Sequence, residues 1–368
     1  MIHIDRLTKR YSKDQAAIDQ LCLEVKEREI FGFLGPNGAG KTTTIRILTT
    51  LSLPTEGSAK VAGYDVVSHP QQVRGLIGYV AQESGVEYCM TGRENLILQG
   101  RLYHLDRKTL NLRVAEMIKV FSLDQVIDRM VSQYSGGMRR KLDIAMALLH
   151  QPRLLFLDEP TLGLDPQSRL DLWDYIRRIN KAYGVTIFLT THYLDEADKL
   201  AHRVGILDKG KMKILDTPEG LKDSIGGDVI TLVLENNQPF TQESAYSQRL
   251  KALPFVKDLL ITDDECSVYV SQGREALPKI LQTLDSGGVG VKAATLSRPS
   301  LDDVFLKMTG RHFKEESDTS SGAEWQKWWK PQSSDSGESA WQSTPAEQTT
   351  DGSDSNQNWN WKDHGSSR

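Results

Sequence analysis

Nine consecutive residues, Gly35-Pro36-Asn37-Gly38-Ala39-Gly40-Lys41-Thr42-Thr43, combine three glycines with a lysine and two hydroxyls. They follow an apolar run, 30–34, and precede Thr44-Ile45-Arg46-Ile47-Leu48. Strand, glycine loop and helix are the context in which backbone N–H groups converge on a phosphate. Lys41 can reach β- and γ-phosphates as a compact charge, and the Thr42 hydroxyl can ligate Mg²⁺. Farther on, Leu154-Leu155-Phe156-Leu157 runs into two carboxylates, Asp158 and Glu159. Asp158, at a strand end, suits a Mg²⁺ ligand, and Glu159 stands where it could polarise an attacking water. Phosphate binding followed by hydrolysis is the chemistry these types and this order describe.

Weaker signals surround them. Ser135-Gly136-Gly137 opens a helix and makes either an anion-binding N-terminus or a plain cap. Gln82 ends a strand and can point at a metal or a water; exposed glutamines are also common. His192 closes the strand 185–191 at its carboxyl end, where ligands bind in doubly wound sheets, although a lone histidine is often structural. Tyr11 can stack on adenine or be a surface aromatic on a turn.

The elements that must position these groups read as a mixed α/β chain. Residues 3–34 carry short strands, with Leu21, Leu23 and Val25 alternating as in a half-buried strand. Further strands are predicted at 58–63 and 76–81. Thr91-Gly92-Arg93-Glu94 is a capping box. The apolar spacing Leu96, Leu98, Leu102, Leu105, then Val114, Met117, Ile118, Phe121, continues a helical insert to about residue 130. An apolar helix follows Gly137 to Leu149, and an amphipathic helix spans 167–182 after the turn Gly163-Leu164-Asp165-Pro166. The order of elements from 228 to 297 is βαββαβ, the split βαβ of a ferredoxin-like domain, closed by a helix at 300–309.

The 368 residues suffice for two domains plus an appendage. Net charge is −4, and the tail from Lys314 holds ten acidic and five basic residues, leaving the remainder near neutral. Nothing in that balance favours nucleic acid. The three cysteines, Cys22, Cys89 and Cys266, lack metal-ligand spacing and are expected to be reduced core residues. No apolar run approaches the roughly 18 residues a membrane span needs, and the first residues do not form a signal peptide. Six of the seven tryptophans lie in the polar tail, a composition that cannot bury a core. Tryptophan favours membrane interfaces and binding hot spots, so the tail is either a lipid or partner contact or a dispensable linker.

Taken together these residues resemble the nucleotide-binding subunits of ATP-binding-cassette (ABC) transporters over residues 1–220. The resemblance implies an α/β P-loop NTPase fold: a RecA-like core, an antiparallel β subdomain and an inserted helical subdomain at about 87–150. The ATPase domain would occupy 1–225, a small α+β ferredoxin-like domain 226–310, and a disordered tail 311–368. By resemblance, Tyr11 stacks on adenine, 35–43 is the Walker A loop and Gln82 the Q-loop glutamine. Ser135-Gly136-Gly137 is the signature motif, and Asp158 and Glu159 are the Walker B acid and catalytic glutamate. Asp165 is the D-loop aspartate, and His192 the switch histidine. Catalysis would then fall to Glu159, His192, Lys41 and Gln82, with Thr42, Gln82 and Asp158 around Mg²⁺. ATP is the implied nucleotide. The signature departs from the common pattern at Tyr134, usually leucine, and Met138, usually glutamine. Both resemble the drug-resistance export branch, as do Asp165-Pro166-Gln167-Ser168-Arg169 and Pro299-Ser300-Leu301-Asp302-Asp303-Val304-Phe305. The family mechanism implies two cassettes paired head to tail, expected here as a homodimer. It also implies a separate transmembrane permease of the ABC-2 type, engaged near 83–91, and a peripheral position on the cytoplasmic face of the cell membrane. An importer ATPase, and a soluble ABC protein of ribosome or DNA, are the alternatives; the export-like motifs and the single cassette disfavour them. The motifs do not name the cargo.

Overall fold

The computed structural model describes residues 1–12, 16–234, 245–261, 266–287 and 289–309. The predicted tail, 311–368, lies outside them. The first half runs β1 (Ile2–Arg10), β2 (Ala16–Val25), β3 (Ile30–Leu34), α1 (Lys41–Leu48), β4 (Glu56–Val61), β5 (Tyr64–Asp65), α2 (Pro70–Leu76) and β6 (Ile77–Val80). The helical insert then contributes α3 (Gly92–Leu102), α4 (Arg107–Val120) and α5 (Gly136–Leu148). The core resumes with β7 (Leu154–Asp158), α6 (Pro166–Tyr183), β8 (Thr186–Thr191), α7 (Leu194–Leu200), β9 (Arg203–Asp208), β10 (Lys211–Asp216) and α8 (Pro218–Ile225).

Strands β2-β1-β4-β5 form an antiparallel sheet. The central sheet has the order β10-β9-β3-β8-β7-β6, parallel from β9 to β6. Its inner strands are apolar at nearly every position because both faces are covered. Alternation sorts the side chains by face. Phe31, Phe33, Phe156 and Phe188 point to the side packed by α1 and the antiparallel sheet, with Phe188 5.4–5.5 Å, centroid to centroid, from each of the other three. Ile30, Leu155, Leu157, Ile187 and Leu189 point to the side covered by α5 and α6.

The insert begins as its sequence demands. Thr91 Oγ1 accepts from the Glu94 amide at 3.2 Å, and the Glu94 carboxylate accepts from the Thr91 amide at 2.8 Å. Leu96, Val114, Met117, Ile118 and Phe121 are buried, but Leu102 is 66% exposed. It sits in the last turn of α3, where the helix leaves the core. The expectation for cysteines also needs correction: Cys266 is buried, whereas Cys22 and Cys89 are exposed and unpaired. Cys22 lies on the outward-facing side of β2, between buried Leu21 and Leu23.

The C-terminal region has β11 (Asp228–Leu234), α9 (Ala245–Lys251), β12 (Val256–Ile261), β13 (Cys266–Val270), α10 (Gly273–Ser286), β14 (Val291–Ser297) and α11 (Leu301–Thr309). Its antiparallel sheet has the order β12-β13-β11-β14. The second βαβ half thus inserts its first strand between the two of the first half, the split βαβ arrangement. One face packs on α9 and α10 through Ile230, Leu232, Val268, Ile280 and Leu284. The other, through Val229 and Tyr269, shares a core with Leu221 and Ile225 of α8, Phe305 of α11, and Leu34, Val204 and Ile206 of the central sheet.

Candidate nucleotide site

The central sheet lines up the candidate residues at one edge. Neighbouring strands β3, β8, β7 and β6 end, respectively, in the glycine loop, His192, Asp158-Glu159 and Gln82. Parallel strands put all four carboxyl ends on the same side, where doubly wound sheets bind ligands.

The loop itself is built for close backbone approach. Gly40 caps α1 at φ +108°, and a Cβ there would lie 2.4 Å from the Ala17 carbonyl oxygen. A Cβ on Gly35 would lie 2.5 Å from the Leu207 carbonyl oxygen. Only glycine fits either position. Ala39 donates its amide to the Pro36 carbonyl at 3.1 Å, closing the turn. Gly38 turns at φ +76° with open space around it. Asn37, Gly38 and Ala39 therefore bend over the start of α1, whose positive end faces the concavity.

Lys41 is buried. Its Nζ donates to the Gly35 carbonyl at 2.7 Å and the Pro36 carbonyl at 3.3 Å, and stands 3.1 Å from Glu159 Oε1. His192 Nδ1 lies 3.1 Å from the other carboxylate oxygen, Oε2. Burial alone would raise the Glu159 carboxyl; the His192 hydrogen bond and the Lys41 charge outweigh it and hold Glu159 below the usual carboxylate range. Glu159 is therefore ionised at neutral pH, as a general base must be. Its backbone is left-handed, at φ +47°. A non-glycine residue there costs on the order of 1–3 kcal/mol and persists only when its surroundings hold it. The Glu159 amide donates to both the carbonyl and the hydroxyl of Thr190, each at 3.1 Å.

Asp158 Oδ1 accepts from Thr190 Oγ1 at 2.6 Å and from Thr42 Oγ1 at 3.4 Å. Burial lifts this carboxyl above its usual range against the Thr190 hydrogen bond, and the Glu159 charge pushes the same way. A hydroxyl and a carboxylate oxygen side by side, at the first turn of α1, are the hard donors Mg²⁺ prefers. Gln82 is exposed on the loop after β6. Tyr11 is 64% exposed, with Lys9 Nζ 5.1 Å from its ring centroid.

Ser135 and Asp165 serve as helix caps. Ser135 Oγ accepts from the Met138 amide at 3.2 Å, and Asp165 Oδ1 from the Ser168 amide at 2.9 Å. A Cβ on Gly137 would meet Ser168 Oγ at 2.8 Å, so α5 and α6 begin in contact. Tyr134 has its own explanation. Its hydroxyl donates to the Val126 carbonyl at 2.7 Å and fills space that a Cβ on Gly92 would take, 2.4 Å away.

Three further residues shape this site and escaped the sequence reading: Thr190, Arg140 and Glu196. Arg140 and Asp143 are charges on the buried side of α5, whose other charges, Arg139 and Lys141, are more exposed. Glu196 is fully buried and accepts from Thr161 Oγ1 and Trp173 Nε1, both at 3.0 Å. Burial raises its carboxyl well above the usual range, although hydrogen bonds from Thr191, Trp173 and Thr161 oppose the shift.

A parallel sheet that gathers a glycine loop, its lysine and a Walker-type carboxylate pair defines a P-loop nucleotide-binding protein. The ABC transporter family model matches residues 18–162, and the C-terminal domain model of DrrA1-3-like ATP-binding proteins matches 217–309. The first range takes in the loop, Gln82, the signature residues and Asp158-Glu159, whereas Tyr11, Asp165 and His192 lie outside it. Daunorubicin resistance ATP-binding protein DrrA2 of Streptomyces coeruleorubidus is 43% identical over 313 residues, covering 84% of this chain and 95% of that protein. Daunorubicin/doxorubicin resistance ATP-binding protein DrrA of Streptomyces peucetius is 40% identical, covering 89% and 97%. The Nod factor export ATP-binding protein I of Sinorhizobium fredii is 36% identical, covering 85% and 87%. Among solved structures, a dimeric ATP-binding cassette in a post-hydrolysis state bound to ADP and Pi superposes with a TM-score of 0.53 at 25% identity, covering 59% of this chain and 98% of that one. The chain belongs to the ABC transporter family of ATP-binding, ATP-hydrolysing proteins, in the group that carries a DrrA-like C-terminal domain.

Proposed function

We propose that this chain is the ATP-hydrolysing subunit of a membrane exporter, working with a separate ABC-2-type permease. The observation that carries the catalytic half is the contact chain Lys41–Glu159–His192 beside the glycine loop. The loop amides and Lys41 would take the β- and γ-phosphate oxygens, with Tyr11 against the adenine. Lys41 now shares its charge among Glu159 and two loop carbonyls, so phosphate oxygens would compete with Glu159 for it. Glu159, oriented by His192, would accept a proton from the attacking water. The new P–O bond forms to the γ-phosphorus as the bond to the ADP oxygen breaks, and the products are ADP and phosphate. Thr42 and Asp158, joined by Gln82, would hold Mg²⁺, which neutralises charge on the phosphates when bound.

Transport is supported by the relatives, whose names describe ATP-binding proteins of daunorubicin resistance and Nod factor export. Export is favoured over import and over a ribosome or DNA role on that ground. No helix among the described residues is long and apolar enough to cross a membrane. The proposed placement is therefore peripheral, on the cytoplasmic face, docked through the segment 83–91. Two copies would pair, each ATP lying between 35–43 of one chain and Ser135-Gly136-Gly137 with Asp165 of the other. The ATPase domain is assigned to 1–225 and the ferredoxin-like domain to 226–310, although the family model for the latter begins at 217, with α8. Drug, lipid and polysaccharide cargoes are all compatible with these motifs.

Replacing Glu159 with Gln keeps the shape and removes the base. ATP affinity and ATP-dependent dimerisation should persist while phosphate release falls about 10²–10⁴-fold. Near-normal turnover in that variant removes Glu159 as the base.

A further inference from the structure

We propose that Arg140 is a positioning residue for ATP hydrolysis: it clamps the backbone that carries Glu159 to the helix that opens at Ser135. The proposal rests on the reading of Glu159 as the base. Arg140 is 7% exposed and spends its guanidinium on main-chain carbonyls of two distant segments. Nε donates to Pro160 at 2.8 Å, Nη2 to Asp158 at 3.0 Å and Glu159 at 3.2 Å, and Nη1 to Ala81 at 2.6 Å. The first three carbonyls surround the catalytic carboxylate, and the fourth immediately precedes Gln82. A planar fork of five N–H donors can meet carbonyls in several directions at once; a lysine ammonium on a flexible stem cannot hold the same set.

The clamp matters because Glu159 is held in the left-handed region at φ +47°. Thr190 fixes the amide side of that residue, and Arg140 fixes its carbonyl side. Releasing one side lets the backbone relax and swings the carboxylate away from Lys41 and His192. The same turn of α5 holds the Gln82 loop by a second arm. Asp143, whose Oδ2 is 4.0 Å from Arg140 Nη1, accepts from Ser84 Oγ at 2.8 Å and from the Gly85 amide at 3.0 Å. Helix α5, the Gln82 loop and the end of β7 are thereby tied into one body. A load applied at Ser135-Gly136-Gly137 therefore reaches the Glu159 of the same chain through a single buried side chain.

The test uses the full chain and its Arg140→Lys variant. Melting temperature, affinity for a fluorescent trinitrophenyl-ATP, steady-state phosphate release, and hydrogen exchange across residues 154–162 are measured side by side. The clamp predicts a folded variant whose nucleotide affinity and KM stay within about threefold while kcat falls by about 30-fold or more. Exchange in 154–162 should be faster. A folded variant with kcat within about threefold of the wild type overturns the clamp. So does a loss of melting temperature, affinity and kcat in parallel, which marks a structural brace only. Should Arg140→Lys not fold, Arg140→Gln, which needs no buried counter-ion, is read by the same criteria. A wild-type chain without turnover overturns the Glu159 assignment and the clamp with it. A competent wild type beside an unaffected variant sinks the clamp alone.

Discussion

At the scale of residues, the site depends on burying charges that neutralise one another. Lys41 and Glu159 form one such pair, with His192 hydrogen-bonded to the same carboxylate, and Arg140 with Asp143 another. Removing one partner of a buried pair costs about 3–5 kcal/mol because the other charge is stranded. Glu196 is different. It accepts hydrogen bonds from Thr161 and Trp173 through one oxygen, Oε1, and no cation pairs with it among the described residues. Its raised carboxyl means the folded chain holds a proton that the unfolded chain releases. The linked stability is complete below the unfolded value and is lost as pH rises toward the folded one. Glu196→Gln removes the ionisation and keeps an acceptor for Thr161 and Trp173. The melting temperature of the variant relative to wild type should therefore become more favourable as pH rises above the ordinary glutamate range. A difference constant between pH 5 and 8 would mean that Glu196 carries no such shift. The partners of Arg140, Thr190 and Glu196 explain why the sequence did not reveal them. They are backbone carbonyls for Arg140, a carboxylate and an amide for Thr190, and a hydroxyl and an indole N–H for Glu196. All come from segments far away in the chain, and no local pattern marks them. The glycine loop and Asp158-Glu159 were legible because their chemistry is concentrated within a few neighbours.

At the scale of elements, local rules were readable wherever the chain obeys a strict period. The capping box at Thr91 formed as its spacing demands, and the apolar stretches of β3, β7 and β8 became the central strands. The order of elements in the C-terminal region was also legible, since alternating runs separated by helix patterns leave few pairings. Residues 193–225 were not. Helix α7 has seven residues and no side-chain cap, and β10 is an edge strand with no buried position. A helix of two turns shows little period, and the alternation of β10, Met212 and Ile214 against Lys211 and Lys213, is brief and only half-buried. Tyr134 shows how an unusual residue is accommodated by an element elsewhere, since Gly92 opens α3 where the phenol must fit. Gly92→Ala should cost about 1–3 kcal/mol by overpacking. Combining it with Tyr134→Leu should recover part of that loss, because the nearest obstruction is then gone. Denaturant unfolding of both single variants and the double variant gives the coupling; strict additivity would contradict the contact.

At the scale of the whole molecule, one apolar core joins the flank of the central sheet to the C-terminal sheet through α8 and α11. Leu34, which ends the strand before the glycine loop, belongs to that core, as do Val229, Tyr269 and Phe305. The C-terminal region thus shares a core with the strand that carries the phosphate loop, α11 packing on α7 and α8, and α7 on β3. This link was hidden in the sequence, because 217–225 reads locally as the end of the cassette while Leu221 and Ile225 face the later domain. What the assembled chain drives is read by cross-linking mass spectrometry with a carboxylate-directed reagent on the tagged protein taken from its native membranes. For an exporter, cross-links are expected from Glu83 and Glu87, both exposed, to a polytopic membrane protein that copurifies with the chain. Cross-links to ribosomal or DNA-bound proteins alone would leave the nucleotide site in place and contradict the exporter.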